Sequence, residues 1–169
     1  MVNIFITDKC PEISAYNLCY RHVVKMILEC AQLLSTTHRY FDDNKANDMG
    51  LYKASHINHP SAKWCRESAD NYQWVYNHMI ALGDIYFMQT GKQHKSIKQI
   101  GEQLGNLPVG ISPYGLTPFV AVVPDHISAK QTSVFDKYKL TLIEKYKEWA
   151  MREKPLSVEF PIATPVWFV

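Results

Sequence analysis

An imidazole, an ammonium, a carboxylate and an amide recur within residues 20–34 (YRHVVKMILECAQLL) as His22, Lys25, Glu29 and Gln32. At about 100° per residue these four fall in an arc of about 80° on one side of a helix. Tyr20, Val23, Val24, Met26, Ile27, Cys30, Ala31, Leu33 and Leu34 cover most of the remaining circumference. A helix that is apolar nearly all round is normally buried. Buried ionisable groups must then be paired or line a wet pocket. One reading is an i,i+4 ion pair between Lys25 and Glu29 beside a hydrogen-bonded His22. The other is a cleft wall that holds an acid, a base and a cation within two turns, where apolar surroundings shift pKa values for general acid–base work. We take the second as the expectation, with His22, Lys25 and Glu29 as catalytic candidates. Arg21, at the edge of the stripe, is placed to grip a phosphate.

Further candidates come from histidines and from cations mixed with aromatics. His56 and His59 (SHINHP) precede Pro60, a residue that suits the first helical position. A metal site there needs a third ligand such as His22 or His38, and no HExxH or comparable signature is present. No metal is therefore predicted, and His59 is read as a helix cap or phosphate contact. Lys63, Arg66, Tyr72 and Trp74 share the next helix, and Lys92, His94, Lys95 and Lys98 follow it. These cations complement helix dipoles, or they contact phosphates while aromatics stack on bases.

The elements that must position these groups are helical. A short apolar, extended start (MVNIFITDKC) leads to Pro11, from which a helix is predicted to about Thr36. A loop follows through HRYFDDNKANDMG, then a second long helix from Pro60 to Gly91 with a core stripe of Cys65, Ala69, Tyr72, Tyr76, Met79, Gly83 and Tyr86. Ser96 and Gln99 have capping-box spacing for a shorter helix. Residues 105–132 are a Pro/Gly-rich loop. A last helix over about 133–152 carries Phe135, Tyr138, Leu142, Tyr146 and Trp149 on one face, before the aromatic tail EFPIATPVWFV. The expected fold is mainly α, compact and single-domain over residues 1–169. It has two long helices, a short N-terminal extended segment and long Pro/Gly-rich loops.

The chain has 169 residues, 47% of them hydrophobic, enough for one core and too apolar for a disordered chain. With 18 Lys and Arg against 16 acids the net charge is +2, so any basic surface must arise from local clustering. Cys10, Cys19, Cys30 and Cys65 show no CxxC spacing and read as reduced thiols. No leader or membrane-spanning pattern stands out. A soluble cytoplasmic protein is expected, in the host cytoplasm if the chain is phage-encoded.

Together these residues resemble the small pyrimidine-dimer DNA glycosylases of the endonuclease V type, with this chain as a divergent phage-type member. In that family a short N-terminal segment enters a helix with a Tyr-Arg-Glu-x-x-Arg pattern, here Tyr20-Arg21-His22-Val23-Val24-Lys25. A His-containing turn then precedes a long helix, here His59-Pro60 to Thr90-Gly91, and an aromatic tail closes the chain, here Pro165-Val166-Trp167-Phe168. The resemblance implies a glycosylase with AP-lyase activity on a damaged or modified base in DNA. In that chemistry the N-terminal amine, of Val2 once Met1 is removed, attacks the sugar C1′ and forms a Schiff base while a helix carboxylate assists. An α-amino group of pKa about 8 keeps a usable neutral fraction at pH 7. It also implies DNA contacts at Asn3, Arg21, His59, Arg66, Tyr72, Lys95 and Trp167, and no cofactor. Tyr72, Trp74 or Trp167 would supply the wedge that base flipping needs. His22 stands where the family has its glutamate and Lys25 where it has arginine, with Glu29 two turns along the same face. Two alternatives remain beside this: a nucleotide- or base-modifying enzyme on the same scaffold, and a non-catalytic phage factor that binds DNA or a host protein.

Overall fold

The first predicted helix breaks at Asn17-Leu18-Cys19 into α1 (Pro11–Tyr16) and α2 (Tyr20–Phe41). This is seen in the computed structural model, which describes residues 3–168. No local signal in the sequence asks for the break. The backbone N–H groups at the start of α2 bond instead to distant partners: Cys19 donates to the Tyr146 hydroxyl and Tyr20 to the Glu159 carbonyl. Tertiary acceptors thus take over the capping that a helix start requires.

The second predicted helix also divides, into α4 (Pro60–Glu67) and α5 (Ala69–Thr90). Ser68 is extended and its hydroxyl accepts the Asn71 N–H, a true N-cap. Asp42 caps a short helix α3 (Asp43–Asp48) inside the predicted loop. The next helix, α6 (Lys95–Leu104), starts under His94 rather than Ser96, because the His94 Nδ1 accepts the Ser96 N–H. The Pro/Gly-rich loop holds α7 (Asp125–Lys130), and α8 (Val134–Ala150) completes an all-α fold with no strand among the described residues.

Two 22-residue helices, α2 and α5, form the centre, with α1 and α4 against α5 and α6 against α2. Flanked in this way, α5 buries Asn71, Trp74, Val75, His78 and Leu82 as well as Tyr72, Met79 and Gly83 of the predicted stripe, whereas Ala69, Tyr76 and Tyr86 are only half-buried and Cys65 belongs to α4. Gly83 lets α6 come close, since a Cβ there would overlap the Ile97 Cδ1. Gly91, at φ 68°, ends α5 in the left-handed conformation expected of a C-terminal glycine. On α8 the buried residues are Tyr138, Leu142, Tyr146 and Trp149, the face read from the sequence.

Two long-range ties fix the irregular chain. The Asn71 side chain donates to the Trp64 carbonyl and the Thr117 hydroxyl and accepts the Thr117 N–H, so it splices α4, α5 and the Pro/Gly loop. The N-terminal segment is buried from Asn3 to Thr7 and is held by Ser14, whose hydroxyl accepts the Thr7 N–H and donates to the Phe5 carbonyl. Asn71→Ala removes three hydrogen bonds at a site with no solvent access, which lowers unfolding free energy by about 2–3 kcal/mol in chemical denaturation. A change below about 0.5 kcal/mol would mean that the loop is held elsewhere.

Candidate active site

Packing decides the fate of the α2 stripe residue by residue. Its outer members, Lys25 and Gln32, reach the surface, whereas His22 is 1% exposed and Glu29 8%. The Glu29 carboxylate is satisfied on both oxygens: one accepts the Asn3 backbone N–H at 3.0 Å, the other lies 3.3 Å from the Lys25 ammonium. The i,i+4 ion pair is therefore present, and the Lys25 side chain, 62% exposed, leaves it largely solvated. Asn3 is itself anchored, its side-chain amide donating to the Val122 carbonyl across the molecule.

These groups wall a cleft of about 420 Å³. Its lining brings together Phe5 and His22, Asn3, Lys25 and Glu29, and Val122 to Pro124 with Thr141 and Lys145 of α8. Phe5 has φ 55°, a left-handed backbone unusual for a bulky residue, and stacks on the His22 ring at 4.7 Å. Backbone strain of this kind persists only where surrounding contacts over-determine it, as the Ser14 bond does here.

His22 is a neutral hydrogen-bond donor. Burial among Phe5, Tyr146 and Trp149, then the charges of Lys145 and Lys25, push its pKa down to about 3. Its Nδ1 lies 2.7 Å from the Tyr146 hydroxyl, which already accepts the Cys19 N–H. Burial raises the pKa of that phenol, so it keeps its proton and gives it to Nδ1. The hydrogen-bond network thus assigns the ring proton to Nε2. The general acid–base role expected of His22 is thereby narrowed: near neutral pH the ring offers an N–H and does not become a cation.

The other predicted residues divide. Val2 lies outside the described residues. Arg21 lines a neighbouring cleft of about 460 Å³ that also uses Lys25 and the tail residues Ser157 and Glu159. His59 caps α4 by accepting the Ser61 N–H. Its pKa is lowered by desolvation and by His56. Arg66 sits over the Tyr40 ring at 4.4 Å and donates to the Ile57 carbonyl. Lys95 is exposed at the start of α6.

Tyr72 is corrected. It has no exposed surface, and its hydroxyl donates to the Leu104 carbonyl and meets His38 Nε2 at 2.9 Å, so it cannot stack on a base. Trp74, buried and bonded to the Lys9 carbonyl, is likewise a core residue. Trp167 is half-buried against Phe168 in the tail. No group of three His, Cys, Asp or Glu among the described residues is arranged to hold a metal. The third ligands proposed for His56 and His59 are engaged elsewhere, His22 with Tyr146 and His38 with Tyr72 and the Asn106 carbonyl. No helix among the described residues is long and apolar enough to cross a membrane.

Sequence reading missed Phe5, Thr141, Lys145 and Tyr146 as site residues. Thr141 and Lys145 have i,i+4 spacing on the edge of the aromatic face of α8, a legible polar stripe. Nothing local says that it meets α2. Comparison with protein-family models, with curated proteins and with solved structures gives no match to this chain.

The buried histidines make stability depend on pH. His22 and His78 have native pKa values of about 3 and about 4, both below the unfolded value of 6.5. The unfolded chain therefore binds more protons, and stability is complete above about pH 6.5 and falls as the pH drops towards 4. Urea unfolding will show a loss of about 1.4 kcal/mol per pH unit for each histidine across that window. A flat profile there, or an NMR titration of the His22 ring near its ordinary pKa, would contradict the buried neutral ring.

Proposed function

We propose that this chain is a DNA glycosylase with AP-lyase character, acting on a damaged or modified base through its N-terminal amine. One observation carries the reading: the buried Glu29 carboxylate accepts the backbone N–H of Asn3 at the wall of the cleft. The α-amine exposed by removal of Met1 belongs to Val2, one peptide unit upstream, and consecutive Cα atoms lie about 3.8 Å apart. The carboxylate and the base-sized cavity thus adjoin Asn3, the residue that follows the proposed nucleophile in sequence.

The chemistry assigned to each group follows from its state. The neutral amine attacks C1′ of the sugar, and the C1′–N bond to the base breaks with its electron pair leaving on the base. Glu29 takes the proton that the attacking nitrogen sheds and offsets positive charge as it develops on the sugar. His22 Nε2–H, fixed by Tyr146, donates to a carbonyl oxygen of the departing base, and Phe5 offers its ring as a stacking face. Lys25, Arg21 and Lys145 attract the phosphates.

The modest size of the cleft and the net charge of +2 also favour a second reading, an enzyme acting on a free nucleotide with the same residues. Borohydride trapping separates the two. Purified protein, with intact mass confirming that Met1 is gone, is incubated with duplexes carrying an abasic site, a thymine dimer or no lesion. A covalent adduct on the first is expected, absent when the N-terminus is blocked and reduced at least about 100-fold in rate in Glu29→Gln. No adduct on any duplex, from protein with a free Val2 amine, rejects amine chemistry on DNA and leaves the nucleotide reading.

A further inference from the structure

One stripe of α2 leads from the site described so far to a further cleft. Arg21, Lys25, Leu28 and Gln32 follow one another at spacings of four, three and four residues, so they share one face, and none of them is buried. From Arg21 to Gln32 this face is about 16 Å long at about 1.5 Å per residue. Three clefts open along it. Arg21 and Lys25 line the first, Lys25 the central one, and Leu28 and Gln32 a third of about 640 Å³.

The third cleft is cationic and polar. Lys53 and Lys95 both line it, together with Ser55, His94 and Gln99. None of the described residues lining it is acidic, and neither lysine forms an ion pair among the described residues. Two uncompensated ammonium groups lining one concavity concentrate the field that draws an anion. Leu28, 42% exposed, supplies an apolar floor beside them. The polar side is rigid: Ser55 exchanges two hydrogen bonds with Thr36 of α2, donating its N–H and accepting at its carbonyl, and Tyr52 bonds Ser96 of α6. Two cations on a firm backbone, an apolar patch and amide side chains offer partners for the phosphate, sugar and base edge of a nucleic-acid strand.

We propose that the outer face of α2 is a track for an unpaired nucleic-acid strand, with the Lys53–Lys95 cleft holding the phosphate of a nucleotide near the one whose base enters the central cleft. This rests on the DNA reading above. Lys25 and Gln32 are about 10 Å apart along the axis, within the reach of a few nucleotides of one strand. The strand therefore crosses from one cleft to the next without doubling back. Its contacts are local, in keeping with a chain whose overall charge is close to neutral.

The test measures fluorescence anisotropy of a labelled single-stranded oligothymidylate dodecamer over a range of salt concentrations, with thymidine monophosphate as competitor. Lys53→Ala/Lys95→Ala weakens dodecamer binding about tenfold and lowers the salt slope by about 1.4, about 0.7 for each single-strand phosphate that a lysine no longer neutralises. The monophosphate, which needs only the central cleft, binds this variant as it binds the wild type. Lys130→Ala/Lys154→Ala, which removes two exposed cations outside this face, changes neither quantity. Equal losses in both double variants would show diffuse charge attraction and overturn the track. So would unchanged dodecamer binding in Lys53→Ala/Lys95→Ala by a protein that still traps abasic DNA; that result leaves the glycosylase reading standing. A wild type that neither binds the dodecamer nor forms a trapped adduct overturns both.

Discussion

The Glu29 carboxylate is the constraint around which this molecule is arranged. A carboxyl side chain that is 8% exposed must have its oxygens satisfied, or the helix carrying it would not stay in the core. One oxygen has the Lys25 ammonium; the other needs a donor that α2 cannot supply from its own backbone, whose N–H groups are spent within the helix. The Asn3 N–H meets that need. To deliver it, the N-terminal segment has to lie beside Glu29 of α2, bury Ile4 and Ile6, and turn through the left-handed Phe5. The cleft is what remains between that segment, α2 and α8.

The second organising network is aromatic. Tyr146 sits where α2 begins, where α8 packs and where the tail returns: its hydroxyl serves Cys19 and His22, and its ring meets Trp149, Phe160 and Phe168. A single phenol thereby caps a helix and sets the tautomer of a buried imidazole. It also ties the tail to the centre, and the Tyr20 N–H···Glu159 carbonyl bond completes that attachment. Rigidity at the cleft follows from this shared use of one group. By contrast, the third cleft is walled by surface lysines over a firm backbone, an arrangement suited to attracting a ligand rather than reacting with it.

Several features were legible because their cause is local. Gly91 ends α5, Pro60 begins α4, and the face of α8 repeats at helical spacing. Ser68 was legible in principle, since its hydroxyl caps the residue three positions on, but the apolar pattern running through it argued for one continuous helix. The Asn17–Cys19 break was not legible, because its acceptors are Tyr146 and Glu159, more than a hundred residues away. Tyr72 misled for the complementary reason. An aromatic with a polar tip suits either a stacking surface or a buried hydrogen bond, and only the position of α6 beneath it, offering the Leu104 carbonyl, decides which.

By itself the sequence determined the helical class and the polar stripe on α2, because amphipathic spacing acts within a few turns of one helix. It determined as well that His22 and Glu29 share a face, which is a matter of helical angle. Only the tertiary structure decided their opposite fates. His22 met Tyr146 and two further aromatic rings and became a neutral donor, whereas Glu29 met a backbone N–H and an ammonium and kept a partnered carboxylate. Lys25 is a helical neighbour of Glu29, but the remaining partners, Phe5, Tyr146, Trp149 and the Asn3 N–H, were brought by packing from the two ends of the chain.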